Sequence, residues 1–350
     1  MKITAAALVA VGFLSLPACS SLRRSAPGEI RSETVRVADS IEARRYRYAN
    51  GLRLLVLEDH SAPTFAYQTW YDVGSRDEEP GRTGLAHLFE HMMFKGTRAV
   101  PDGEFDRILD EAGAEGQNAY TTQDHTTYIE ELPRERLELI MKLESDRMRN
   151  LVINDRSFAT ERDVVQNERR YRNENSPEGR MYQELYGLAF TRHPYHWPVI
   201  GYAEDLERMS AADARAFYDA HYSPNNAVIV VSGDVRAGEV RDLVEKYYGG
   251  IPMTQPSSPP RESEPEQRSP RRKTMRLNVQ VEKLLMAFPI PAIGTEDIPA
   301  LDVIQTLLSG GRSSRLRKSL VESGIATEAL IEHAFALATR AIATPLRDRS

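Results

Sequence analysis

The stretch GLAHLFEHMMFKGT, residues 84–97, sets His87, Glu90 and His91 among leucine, phenylalanine and methionine. In a helix, side chains four apart project from one side a turn apart, so His87 and His91 can aim imidazole nitrogens at one ion with Glu90 beside them. Two histidines and a carboxylate from elsewhere leave an open position on zinc for water, whose proton a nearby glutamate can accept at neutral pH. A buried polar accident looks the same over five residues. The rest of the chain has to decide between them.

A third ligand has a candidate in ATERDVVQNERR, residues 159–170. Glu161 and Glu168 stand seven apart, hence on one helical face two turns apart. The bland reading of such glutamates is a solvated charged face, which is the expectation for Glu174 and Glu178. Periodicity extends this helix from Ser157 to about Glu174, with Phe158, Val164 and Val165 inside.

Outward from the motif, YRYANGLRLLVLEDH (46–60) gives two short β-type runs around Asn50-Gly51, a hairpin signal. PTFAYQTWYDVGS (63–75) alternates apolar and polar residues as a strand does, and the acidic loop RDEEPGRTG leads into the motif helix. Residues 102–113 and 133–150 are helical by periodicity. Between them NAYTTQDHTTYIEEL reads as a strand pair, and NAVIVVSGDV as a further strand. The segment MTQPSSPPRESEPEQRSPRRK (253–273) is too rich in Pro, Ser, Glu and Arg to bury a core and reads as a linker between two domains. Beyond it KLLMAFPIPAIGTEDIPALDVIQTLLSGG (283–311) loosely repeats the strand-then-helix layout of residues 65–96, with Val303, Thr306 and Leu307 in the places of His87, Glu90 and His91. If this is a repeat, the second copy is expected to keep the scaffold and to have no metal site.

With 350 residues and 41% apolar content the chain can bury a large core, and length favours about two domains. Its net charge of -6, from 51 acidic and 45 basic residues, offers no extended basic surface, so nucleic acid is not expected as a partner. The N-terminus MKITAAALVAVGFLSLPACSSLRR carries an apolar run too short to span a bilayer, which matches an export signal. Leu16-Pro17-Ala18-Cys19 resembles a bacterial lipobox, with Pro17 an unusual occupant. Cys19 is the expected lipidation site, and Ser20 after it suggests an outer-membrane lipoprotein facing the periplasm. As the only cysteine, Cys19 leaves no internal disulfide.

HLFEHMMFKGT is the H-x-x-E-H of inverted zinc peptidases. Followed by the helical E-x6-E, it resembles the pitrilysin/insulinase family of zinc peptidases, close to the bacterial and mitochondrial processing-peptidase branch. AEGQNAYTTQDHTTY is similar to that family's NAxT strand, HPYHWPVIGYAEDLERM to its HPYGxPxxG segment, and YSPNNAVIVVSGDV to its domain-closing strand. The likeness runs from about Val35 to Gly250 and resumes through GGRSSRLRKSLVESGIA. It implies an α+β fold of the LuxS/processing-peptidase-like metallohydrolase type: two homologous domains, each a mixed sheet with helices packed on it, closing around a peptide. By resemblance, His87, His91 and Glu168 are ligands of one Zn2+ per chain, Glu90 is the catalytic general base and Glu161 a supporting acidic residue of the catalytic site. Asn118 and Ala119 match the edge-strand positions that hold substrate backbone.

The implied domains are a signal peptide with lipobox (1–19), an N-terminal linker (20–40), a catalytic domain (41–250), the Pro/Ser-rich linker (251–273) and a truncated second domain (274–350). Departures from the pattern are His196, where the family more often has glycine, and Val321 and Thr327, about where it supplies an arginine and a tyrosine to the substrate carbonyl. Two readings follow: a zinc metalloendopeptidase acting on unfolded or short polypeptides, or a non-catalytic peptide-binding subunit. The shortened second half also suggests a homologous partner subunit supplying the closing domain. His60, His125, His193, His196, His221 and His333 are expected to be structural or exposed.

Overall fold

The computed structural model describes residues 30–38, 41–255, 262–329 and 331. The export segment, Cys19 and His333 lie outside these residues. Among the described residues no helix is long and apolar enough to cross a membrane.

β1 (Arg31–Ala38) and β2 (Ile41–Arg47) pair antiparallel, and β2 turns at Asn50-Gly51 into β3 (Arg53–Glu58). Gly51 sits at φ 84°, a left-handed geometry that glycine adopts without strain. Asn50 Nδ2 donates to the Tyr248 and Ile251 carbonyls at 2.8 and 3.1 Å, fixing the hairpin tip to a segment two hundred residues away. β4 (Thr64–Tyr71) keeps the expected alternation, with Phe65, Tyr67, Thr69 and Tyr71 buried. There follow α1 (Leu85–Met92), α2 (Glu104–Glu111), the expected pair β5 (Glu115–Thr121) and β6 (Thr126–Pro133), and α3 (Leu137–Asn150).

α4 (Asp155–Arg169) starts at a capping box between Asn154 and Ser157 and runs into a π-helical turn, Arg170–Glu174. Its Phe158 and Val165 are buried as expected, but Val164 is 43% exposed. Adjacent residues are about 100° apart on a helix, and the stripe through Phe158, Glu161 and Val165 leaves position 164 outside. α5 (Pro177–Ala189), α6 (Ala203–Arg208), α7 (Ala211–His221), β7 (Ala227–Gly233) and α8 (Ala237–Tyr248) complete the first part.

The seven strands form one mixed sheet in the order β1-β2-β3-β7-β4-β6-β5, with β3 and β7 parallel and every other pair antiparallel. Register carries Leu54 and Val56 of β3, Ala227, Ile229 and Val231 of β7, the buried residues of β4, and Thr126, Tyr128, Glu130 and Leu132 of β6 onto one face. Helices cover that face. Phe89 of α1 stacks on Phe217 and Tyr218 of α7, with ring centroids 5.6 and 5.9 Å apart. Two buried tyrosines satisfy their hydroxyls inside: Tyr128 donates to the Phe89 carbonyl at 3.0 Å and Tyr218 to the Arg147 carbonyl at 2.7 Å.

The expected linker is docked where it is described. Glu264 accepts N–H bonds from Thr191, Arg192 and His193 at 2.8, 2.8 and 3.1 Å, and Arg271 donates to the Leu188 carbonyl at 2.6 Å. Beyond it α9 (Ile298–Ser309) forms as expected, whereas the strand expected in residues 283–291 does not. A strand needs a neighbour for its backbone hydrogen bonds. No described residue after 273 forms one, and Leu284 and Phe288 stand 79% and 77% exposed.

One charged group lies deep in the core. Arg147 is buried between Glu130, whose Oε1 is 2.9 Å from Nη2, and Glu144, with its guanidinium carbon 4.5 Å from the centroids of Phe105 and Tyr128. Burial, and then the Glu144 carboxylate beside it, hold the Glu130 carboxyl well above the usual range. Arg147→Met leaves two buried carboxyls without a counter-charge, so a loss of about 3–5 kcal/mol is expected in urea unfolding. A midpoint indistinguishable from that of the unaltered chain would show that neither carboxyl depends on the guanidinium.

Candidate metal centre

α1 is eight residues long, and its apolar face, Leu85, Leu88, Phe89 and Met92, is buried against the core. That packing fixes the rotation of the helix, so His87 and His91 emerge on the side facing α4. Their rings are 5.1 Å apart between centroids. Glu168, near the end of α4, places Oε2 3.8 Å from His87 Nε2 and 3.3 Å from His91 Nε2. One ligand atom from each of the three lies within 4.8 Å of the others, a spacing that a single divalent ion can bridge. This is the one such group found among the described residues.

The donor set fits zinc: two imidazole nitrogens, which would be neutral once a metal is held, and one carboxylate oxygen. His87 is buried, and burial pulls its pKa down to about 4, so the ring is uncharged over the neutral range and offers one nitrogen lone pair. Its Nδ1 has no hydrogen-bond partner in the structure. His91 behaves oppositely in the metal-free chain: burial lowers its pKa, but Glu161 and Glu168 outweigh that and push it up to about 9. A cation bound at the Nε2 side displaces that proton.

Glu90 leans away from the three. Its Oε2 accepts the Thr121 hydroxyl at 2.7 Å, and burial raises its pKa against that hydrogen bond. Glu161 lies behind His91, with Oε2 3.7 Å from Nδ1 and Oε1 3.0 Å from Lys95 Nζ. It is buried and faces the ring from the side away from the cleft, which is the position of a group that orients an imidazole. Asn118 and Ala119 lie on β5, the last strand of the sheet, and line a cleft of about 380 Å³ with Glu90, His91, Phe94, Asp106 and Gln117.

Sequence reading missed three groups here. Arg172 Nη1 holds Glu168 Oε1 at 2.8 Å, four residues along the helix, which i,i+4 spacing could have suggested. Thr121 and Lys95 lie inside stretches already quoted, but their partners follow only from tertiary contact. Among the other histidines, His193 and His221 are buried and His60 pairs with Asp234 at the surface. Glu174 and Glu178 are exposed, as expected of a solvated charged face, and each has an ion-pair partner, Arg169 and Lys283.

Against this geometry stand the chain's relatives. The family described as Insulinase (Peptidase family M16) matches residues 53–201, and Peptidase M16 inactive domain matches residues 208–335. An uncharacterized zinc protease of Mycobacterium leprae is 30% identical over 308 residues, covering 86% of this chain and 68% of that protein. The chain belongs to the insulinase family, peptidase family M16. Zinc protease PqqE of Helicobacter pylori is 33% identical over 277 residues, 78% of this chain and 62% of that protein, so the chain spans somewhat under two thirds of its length. The crystal structure of a protease from Helicobacter pylori superposes with a TM-score of 0.72 at 29% identity, covering 87% of this chain and 71% of that one. The mixed α+β architecture is thus that of M16 proteases. The inactive-domain match begins before β7, which in this chain is a central strand of the sheet carrying the site.

Proposed function

We propose that this chain carries the catalytic centre of a zinc metalloendopeptidase, with His87, His91 and Glu168 as the ligands of one zinc ion and Glu90 as general base. The observation that supports it most is the convergence of two Nε2 atoms and one carboxylate oxygen from α1 and α4 at a cleft bordered by β5, the last strand of the sheet among the described residues. A protein that only binds peptide has no use for that convergence.

When bound, zinc supplies a Lewis acid that acidifies water and polarises the scissile carbonyl. The rest falls to the chain's own residues. β5 offers the backbone of Asn118 and Ala119 to an extended peptide, whose main-chain hydrogen bonds give affinity with little demand on sequence. Unfolded or short polypeptides are therefore the substrate class. The Glu90 carboxylate, oriented by Thr121, takes the proton of the attacking water and returns it to the departing amine nitrogen. Glu161 and Lys95 hold His91 by its Nδ1 side, and Arg172 holds Glu168 by Oε1, so the ligands keep their aim without the metal.

Domain limits of 41–250 for the catalytic part and 274–350 for part of a second, metal-free domain are carried in the same proposal. So are export with anchoring at Cys19 and a partner subunit that closes the cleft. The alternative reading, a non-catalytic peptide-binding subunit, is favoured by Val321 and Thr327 standing where the family supplies an arginine and a tyrosine.

Metal analysis of the purified chain should give about one zinc per chain, and Glu168→Gln should abolish tight binding, because three protein ligands are the minimum for such a site. Undiminished zinc in that variant would place the third ligand elsewhere. Glu90→Gln should keep the zinc and the affinity for a fluorogenic peptide while turnover falls by at least about a hundredfold, the scale of a lost general base. Comparable hydrolysis by Glu90→Gln and the unaltered chain would remove Glu90 from its role, and zinc binding without any hydrolysis in either would favour the subunit reading.

A further inference from the structure

α1 has a problem at its first turn. An eight-residue helix leaves its leading N–H groups unpaired, and the usual remedy is a Ser, Thr, Asp or Asn at the N-cap. The N-cap here is Gly84, at φ 98°, with no side-chain cap and no acidic residue in the first turn. Space explains the glycine. A Cβ at Gly84 would lie 2.7 Å from the Ile200 carbonyl oxygen and 3.1 Å from the Gly201 Cα, so the helix start rests directly on that backbone. Gly201 is equally constrained, since its own Cβ would meet the Thr83 carbonyl oxygen at 2.3 Å. No capping side chain can stand at position 84.

The capping group arrives from the preceding loop. Glu78, 2% exposed, accepts the Gly84 N–H on Oε2 and the Ala86 N–H on Oε1, both at 2.8 Å. Burial pushes the Glu78 carboxyl well above the usual range, against the two N–H bonds, and its oxygens accept those N–H groups in either protonation state. The Ala86 peptide it holds leads straight into His87. A second tie secures the same turn: the Thr83 N–H and hydroxyl donate to Asp205 Oδ2 at 3.2 and 2.7 Å. On the far side of the crossing, Arg169 Nε donates to the Gly201 carbonyl at 2.9 Å, and Arg169 is the residue after Glu168. The start of the helix with two histidines and the end of the helix with the glutamate are thereby fixed to one point.

We infer that Glu78 is a positioning residue for the metal centre: by capping α1 from a distance it sets where the helix begins, and so where His87 and His91 point. This rests on the reading of His87, His91 and Glu168 as metal ligands. Glu78 touches neither metal nor substrate. Its effect passes through the Gly84 and Ala86 amides, and groups that orient ligands in this way typically change metal affinity by about 10–100-fold when lost.

The test is a titration of the full metal-free chain with Co2+ alone, followed by its visible absorption, beside far-UV circular dichroism and thermal unfolding. Glu78→Ala should weaken Co2+ binding by about 10–100-fold and alter the band, whereas Glu78→Gln, whose amide oxygen still accepts one of the two N–H groups, should lose less. Val244→Ala, a cavity in α8 where that helix packs on α3 and β3, should lower the unfolding temperature and leave both affinity and band unchanged. If Glu78→Ala does not fold, Glu78→Gln decides. Co2+ binding within about twofold of the unaltered chain in Glu78→Ala, or in Glu78→Gln where the alanine variant does not fold, or an equal loss of affinity in Val244→Ala, overturns the inference. A starting chain that binds no Co2+ instead overturns the metal reading on which it rests.

Discussion

Two imidazoles a turn apart on a helix can share an ion with a carboxylate from another helix only if neither helix can rotate. The structure depends on that constraint. Phe89 is locked among the aromatic residues of α7, and the buried stripe of α1 leaves one orientation for His87 and His91. α4 is held through Phe158, Val165 and the Arg169 side chain, which leaves Glu168 facing the pair. Burial of apolar surface, which has no direction of its own, is here converted into an aimed polar site by shape.

Electrostatics at the site follow the same division of labour. His87, the more buried of the two histidines, is kept neutral by burial, while the more open His91 is drawn toward its charged form by two carboxylates in the metal-free chain. Lys95 and Arg172 balance Glu161 and Glu168 from outside, so carboxylates next to the histidines are held ready without repelling each other. The Arg147 cluster behind β6 is a separate matter. It lies under Phe94, which also lines the cleft, and stiffens the floor on which that wall stands.

Much of this was legible in the residues. The Asn50-Gly51 hairpin, the alternation of β4 and the heptad spacing of Glu161 and Glu168 are local patterns with one structural meaning each. His87, Glu90 and His91 were readable as one helical group from their spacing, and Glu168 joined them only through the resemblance to the insulinase family, because nothing local says which helix faces another. What stayed hidden required tertiary knowledge. Glu78 read as one acidic residue of a loop, since nothing in RDEEPGRTG tells which carboxylate folds back under the helix. Glu264 read as linker charge, and its N–H partners at 191–193 have no sequence signature. Val164 was placed inside because hydrophobicity cannot report which side of α4 faces solvent. Residues 283–291 have strand composition, yet a strand is a property of two partners.

The central claim is that α1 and α4 converge to hold one metal ion. Diffraction from zinc-loaded crystals, recorded on both sides of the zinc absorption edge, tests it without reference to activity. The account predicts one anomalous peak per chain, about 2.0–2.2 Å from His87 Nε2, His91 Nε2 and a Glu168 oxygen, with Glu161 outside bonding distance. A peak at any other group of residues, or Glu161 in place of Glu168 among the ligands, would contradict it.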